Sequence, residues 1–438
     1  MQSTKPITIT STGIVMWLLV SGFFLYEFSL RTLVGTIGTQ VISDLHLTAA
    51  KFAMLGSAYY LAYGMMQVPV GIIADKFGIR NTLLFGAAVC VLSAYGLALS
   101  STFAEAFVCR VVMGFGSSFA FVCMLSVVAA WFPRKNFGLF SGMAQFIGTM
   151  GPMLAAGPLA SILVRVHGDW RFLLNRIGLA GVVLVFLIFL FVRNKTVDKK
   201  KTLIFTKKQE TVKSRLHRIV KNPQILWVSM YSALTYGPMA LIGAIWGTIY
   251  LQSHGFSQSV AASTVSVAWL GYAIGCLSLG AISDFLKRRK VVLMSCSIIG
   301  FLATCGIVFS SADSIYVYML LFGCLGVAAS GQALACAAIS EHSDASTRAT
   351  AFGINNGSVI LFNVFFPPIV GWTVSIFAAK HAGSFLPGDF FYGFCAMPLV
   401  YLLALTDATF FIDETYCKSQ SEVIVLQMED VMAAELAS

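Results

Sequence analysis

Three ionisable residues stand inside apolar runs, where a charge is costly: Glu27 and Arg31 in the first run and Arg110 in the fourth. A charged side chain at the centre of a bilayer costs at least about 2.5 kcal/mol on insertion scales, so it needs a partner or a purpose. Glu27 and Arg31 are four positions apart and share one helix face. Glu27 lies near mid-depth, Arg31 one turn closer to the end of its run, and Arg110 enters the fourth run to a comparable depth, as Arg176 does in the sixth. Two chemistries fit. The charges could neutralise each other and pin helices together. Alternatively an arginine holds a carboxylate or similar anion while Glu27 takes up and releases a proton. Burial disfavours an ionised carboxyl and a nearby guanidinium favours it, so an anion arriving at the arginine would favour protonation of Glu27. No histidine competes for that role, because all of them lie in loops or at the ends of runs. Asp407 reads as a boundary charge.

Aromatic and amide side chains could complete a cavity around these charges. Tyr26, Tyr59, Tyr63, Tyr236, Trp246 and Tyr272 are the aromatic candidates, with Gln145, Asn355 and Asn356 as orienting amides. Each taken singly is more often packing than ligand, since membrane helices also use amides to join neighbours. Tyr26, Tyr236 and Asn356 stand out because the duplication described below would turn their matched positions toward a common centre. Pro367 and Pro368 are expected to bend the eleventh run.

The elements that must position these groups are membrane helices. Of 438 residues 58% are hydrophobic and only 11% charged, against about 25% charged in a typical soluble domain. Apolar runs long enough to cross a bilayer recur near 14–37, 51–72, 81–100, 104–130, 138–164, 170–192, 224–251, 258–281, 291–310, 313–340, 348–378 and 388–412. The fold class is therefore all-α membrane protein with twelve transmembrane helices. The first run is too long for a signal-peptide core and is read as a retained span. Lys76, Arg80, Arg134, Lys135 and Lys287 to Lys290 lie on one set of loops, whereas Asp44, Glu105, Asp313 and Asp389 lie on the other. The basic set is expected to be cytoplasmic, with both termini on that side of a plasma (bacterial inner) membrane. The net charge of +10 thus reflects topology, and no nucleic-acid partner is implied. Nine of the ten cysteines fall inside apolar runs, so no disulfide framework is expected.

Four units follow: an N-terminal six-helix bundle at 1–192, a basic linker at 193–223, a C-terminal six-helix bundle at 224–412 and a cytoplasmic tail at 413–438. The linker carries eleven Lys or Arg from Arg193 to Lys221. Val212, Leu216 and Ile219 share one face there, which fits a helix lying on the membrane or a solvated tether. The two bundles repeat each other. Gly71, Asp75 and Arg80 return as Gly280, Asp284 and Arg288 to Arg289, a shift of 209. Trp17 and Tyr26 match Trp227 and Tyr236 at 210, Tyr63 matches Tyr272 at 209, and Gly142 and Gln145 match Gly353 and Asn356 at 211. Duplicated helix bundles are a usual build of solute transporters, with the substrate between the halves. The second-half counterparts of Glu27, Arg31 and Arg110 are Gly237, Leu241 and Met319, so the charged apparatus is confined to the first half.

The chain resembles the major facilitator superfamily over nearly its whole length. Gly71, Asp75, Lys76, Gly78 and Arg80 match that family's loop signature, and Gly280, Asp284, Arg288 and Arg289 match its second copy without the second Gly. Arg110 with Gly114 and Gly116, the loop from Trp131 to Lys135, and Gly142, Gly148, Gly151 and Gly157 also fit. Asp169, Trp170 and Arg171 are similar to the organic-anion symporter branch, although Ser117 and Ser118 stand where that branch often has a carboxylate. The resemblance implies two pseudo-symmetric six-helix bundles working by alternating access, with Gly71, Asp75, Arg80, Gly280, Asp284 and Arg288 as conformational-gating residues.

No phosphate-binding loop, zinc-protease motif, paired Cys-x-x-Cys or nucleophile elbow occurs, so neither an enzyme, a cofactor nor a metal site is expected. The expected function is proton-coupled symport of a small polar, carboxylate-bearing metabolite by a monomer in the bilayer. Arg31 and Arg110 would bind the anion, with Tyr26, Tyr63, Gln145, Tyr236 and Asn356 around it, and Glu27 would carry the proton. An exporter of a drug or siderophore-type compound and a non-transporting receptor remain open alternatives.

Overall fold

The computed structural model describes residues 10–132, 137–193, 221–310, 314–343, 348–379 and 385–417. The linker segment with Val212, Leu216 and Ile219, the loop cations Arg134 and Lys135, and most of the tail lie outside the described residues, as do the side chains at Asp75 and Lys76 and the surroundings of Gly71. Among the described residues there is no strand.

The first half holds α1 (Ser11–Thr36), α2 (Gly38–Asp44), α3 (Ala49–Phe77), α4 (Ile79–Leu99), α5 (Phe103–Ser117), α6 (Phe119–Trp131), α7 (Phe137–Arg165) and α8 (Trp170–Phe191). The second holds α9 (Pro223–Leu241), a π turn (Ile242–Trp246), α10 (Gly247–Ser253), α11 (Gln258–Leu286), α12 (Arg289–Phe309), α13 (Ile315–Ala329), α14 (Gly331–His342), α15 (Arg348–Ala378), α16 (Pro387–Phe394) and α17 (Ala396–Phe410). Among the described residues eleven stretches are long and apolar enough to cross a membrane. The 29-residue α3, packed among them, makes the twelfth span.

The duplication governs details that the sequence pattern does not announce. The fourth and tenth spans are each broken into two helices at a serine, Ser118 and Ser330. Each hydroxyl donates back to a carbonyl three residues earlier, Ser118 to Phe115 and Ser330 to Val327, both at 2.6 Å, and such back-bonding bends helices. Gly114 on α5 abuts the backbone of Tyr59 on α3, and Gly326 on α13 abuts that of Ala268 on α11. The equivalent glycines let equivalent helix pairs approach backbone to backbone, the way membrane helices gain van der Waals contact without a hydrophobic drive between them.

Among the described residues the halves meet chiefly through α1 on the π turn, α3 on α15, and α7 on α11. Away from the termini this seam is sealed. A Cβ at Gly35 would sit 2.7 Å from the carbonyl oxygen of Ala244. The amides of Gln40 and Gln258 bond each other at 2.8 Å, the Gly157 N–H donates to Ser266 at 2.8 Å, and Ser57 donates to the Asn363 carbonyl at 3.1 Å. On the termini side, Asn356 donates to Gln67 at 3.0 Å. Beyond it Gly142, Gly353 and Gly357 face open space. The bundle is therefore closed at one face and open at the face where the termini lie. Cysteines placed at Gly142 or Gly353 should react with a membrane-impermeant maleimide added on the termini side, and one at Gly371 should not. Equal labelling of all three would contradict the seal.

Candidate functional site

The opening leads to a cavity of about 720 Å³ between the halves, within the usual range for small-molecule sites. It is lined from the first, second, fourth and fifth spans and from their repeats, the seventh, eighth, tenth and eleventh. Arg31 is the one charged residue lining it among the described residues. The Arg31 Nη2 bonds both carboxylate oxygens of Glu27, at 3.2 and 3.1 Å, one helical turn back on α1. Tyr59 donates to Glu27 Oε2 at 2.6 Å. The guanidinium also lies over the rings of Phe28 at 4.4 Å, Tyr63 at 4.5 Å, Tyr59 at 5.4 Å and Tyr60 at 5.9 Å. Weakly hydrated and planar, an Arg suits such an aromatic surround. Among the described residues its Nε and the Tyr60 hydroxyl have no hydrogen-bond partner.

The structure brings Arg31, Tyr63, Gln145, Tyr236 and Asn356 to the cavity wall as the sequence reading expected, and Tyr272 with them. It corrects the expectation for others. Arg110 does not line the cavity and is fully buried. Its guanidinium donates to the carbonyls of Leu30 at 2.8 Å, Arg31 at 3.1 Å and Leu55 at 3.4 Å. A guanidinium so occupied ties the fourth span to the first two. Tyr26 turns away from the centre and fits its hydroxyl over Gly181 on α8, where any side chain would collide with it. Glu27, fully buried, sits behind Arg31 and does not itself face the cavity. Arg176 is exposed, with its guanidinium 4.6 Å from the Phe172 ring. Trp246 is buried in the π turn, and Asn355 donates to Cys336 at 3.5 Å. Asp407 is buried near the end of α17, and among the described residues neither of its carboxylate oxygens has a partner.

The two loop copies are set at the termini-side ends. Arg80 donates to the Phe189 carbonyl at 2.8 Å. In the second copy the buried partner is Arg289 rather than Arg288, which is exposed. Arg289 pairs with Asp284 at 2.7 Å and Glu341 at 2.9 Å. Arg288 precedes the first turn of α12, and its side chain points to solvent; Arg289, one residue on, lies on the face turned toward α14. Glu414, just past the last span, accepts the N–H groups of Arg289 and Lys290 at 2.8 and 3.1 Å, supplying negative charge where a helix N-terminus favours it. The Asp169-Trp170-Arg171 segment is an anchor at the opposite face. Asp169 caps α8, Trp170 donates to Asp44 at 2.7 Å, and Arg171 donates to the carbonyls of Ala98 and Ser100 at 2.8 and 2.6 Å.

The family model of the Major Facilitator Superfamily matches residues 19–332 and again 235–418. The chain belongs to the Major Facilitator Superfamily. An uncharacterized transporter of Bacillus subtilis, YybO, is 23% identical over 290 residues, 62% of this chain and 65% of that protein, so the match spans just under two thirds of the relative. The hexuronate transporter of Bacillus subtilis is 24% identical over 306 residues, 68% of this chain and 70% of that one. Among solved structures, a bacterial homologue of the human lysosomal transporter Spinster, inward-facing and unoccupied, superposes with a TM-score of 0.72 at 14% identity, covering 92% of this chain and 97% of that one. At that identity the likeness concerns the fold: two six-helix bundles, as the superfamily loop motifs implied.

Proposed function

We propose that this protein is a secondary active transporter of the bacterial inner membrane that moves a small carboxylate-bearing metabolite together with a proton by alternating access. One observation carries the reading: a cavity between two repeated bundles, open to one face only, with Arg31 as its charged group. Glu27, Arg31 and Arg110 sum to one net positive charge in a medium that shields charge poorly, and the second half adds no charge to the lining. An anion at Arg31 offsets that charge, and a proton taken up by Glu27 then returns the cluster to one net positive charge. The hexuronate transporter, a relative named for an anionic sugar, agrees in charge.

In this mechanism Arg31 exchanges its bonds to Glu27 for bonds to the substrate carboxylate. Glu27, left with Tyr59 as donor, takes the proton that travels with the anion. The Asp284–Arg289–Glu341 network and the first-half loop with Gly71, Asp75 and Arg80 act as the gate, tightening when the cavity closes on the termini side. The basic loops support a cytoplasmic position for that side, and on that reading the present state is inward-open. The apolar part of the wall also suits an exported anion, and the orientation of the pH gradient that drives flux separates the two directions.

The test uses the full chain in proteoliposomes. Glu27→Gln should lose uptake driven by an imposed pH gradient, by at least about tenfold, yet retain exchange of substrate across the membrane, since exchange needs no net proton movement. Gradient-driven uptake equal to the parent protein would remove Glu27 from the coupling.

A further inference from the structure

Resting on Arg31 as the anion site, we infer that the substrate is an amphipathic monocarboxylate with an aromatic or otherwise apolar body, rather than a polyhydroxylated sugar acid. Around the guanidinium the wall is apolar. Phe24, Phe28, Phe121, Met124, Phe146 and Phe352 all line the cavity. Phe24 and Phe121 touch with ring centroids 5.7 Å apart and continue the ring surface that begins at Phe28. Polar side chains are present, but part of their capacity is taken within the protein. Tyr272 donates to Gln332 at 3.0 Å, Asn356 donates to Gln67 at 3.0 Å, and Thr149 donates back to the Gln145 carbonyl at 2.9 Å.

What remains beside Arg31 is the Gln145 amide, the Tyr236 and Ser340 hydroxyls and the Gln332 amide nitrogen, which bond to none of the described residues, with the cavity-lining hydroxyl of Tyr63 and the orphaned hydroxyl of Tyr60. Those groups suffice for a carboxylate and a few further polar substituents, while the rings of Phe24, Phe28, Phe121, Phe146 and Phe352 make the larger part of the wall apolar. A sugar acid brings a hydroxyl on nearly every carbon, and each that loses water without finding a partner weakens binding. An aromatic body has no such requirement and gains from ring contacts with the same wall.

Binding of 3-phenylpropionate and D-glucuronate, which carry the same single charge, to the purified full-length protein decides the matter, measured by calorimetric titration or ligand-induced thermal stabilisation. The expected result is a Kd for 3-phenylpropionate at least about tenfold lower, a difference of about 1.4 kcal/mol. Phe121→Gln should cut that preference by at least about threefold, with Phe352→Gln as the second variant should the first not fold. Equal or tighter binding of D-glucuronate overturns the aromatic-body inference and leaves Arg31 as an anion site. Absence of binding by either acid overturns both. A preference unchanged by the Phe variants also overturns it, because the wall would then serve only to seal the closed state.

Discussion

Arg31→Gln abolishes carboxylate binding while the bundle stays folded, with affinity for the preferred acid falling by at least about 100-fold. Hydrogen bonds to a charged group contribute about 1.5–3 kcal/mol each, and Arg31 can offer an anion its Nη1 and, released from Glu27, its Nη2. Losing two such bonds, and the only charge in the cavity lining among the described residues, accounts for that factor. The single variant leaves Glu27 buried with Tyr59 as its remaining side-chain donor. The double variant Glu27→Gln with Arg31→Gln is therefore the cleaner comparison: removing both members of a buried pair is often close to neutral for stability, whereas removing one is costly. It keeps the net charge of the cluster at +1 through Arg110. If the double variant is monodisperse, melts near the parent temperature and fails to bind, the loss belongs to the ligand contact. If it still binds carboxylates within about threefold of the parent, Arg31 is a structural ion-pair partner and the anion site lies elsewhere. Arg31→Lys should restore charge but not the planar fork, giving an intermediate affinity.

The architecture was legible because bilayers impose strong rules on sequence. Twelve apolar runs, the alternation of basic loops and the near-constant repeat shift each follow from physics that acts residue by residue. The direction in which a side chain points on a helix is not written that way. Tyr26 and Tyr236 are repeat partners, yet Tyr236 lines the cavity and Tyr26 fills the slot over Gly181. The pairing of Asp284 with Arg289 rather than Arg288 turns on one residue of helix register at the start of α12. Missed altogether were Tyr60 and Gln332 in the lining and Glu341 and Glu414 around Arg289. Glu341 had a usable signal: an acidic residue ending the tenth span, on the same face as the loop cations of the second repeat. The breaks at Ser118 and Ser330 had a weaker one, since the two serines are 212 positions apart, close to the repeat shift.

Arg110→Met should leave little folded protein, which separates it from Arg31. Arg110 has no carboxylate partner among the described residues. Its donors instead reach carbonyl oxygens of Leu30 and Arg31 on α1 and Leu55 on α3, and its guanidinium lies 5.0 Å from the Tyr59 ring. Those carbonyls already serve helical bonds, so the arginine adds a second acceptance to each and holds two helices at fixed spacing. Its α5 neighbour Gly114 abuts the Tyr59 backbone four residues on. Removing the guanidinium costs about 3–5 kcal/mol by the usual measure of a broken buried polar network, a large fraction of a typical domain's 5–15 kcal/mol. It also lets α1 shift, carrying Glu27 and Arg31 with it. The expected outcome is low yield and a melting temperature lowered by several degrees in whatever monodisperse fraction remains, with added carboxylate restoring part of it. Arg110→Lys should fold better than Arg110→Met, since an ammonium can still reach one or two of the three carbonyls. A stable, well-folded Arg110→Met protein that has lost only its affinity for carboxylates would instead put Arg110 in the binding site, and the division of labour between the two arginines would have to be reversed.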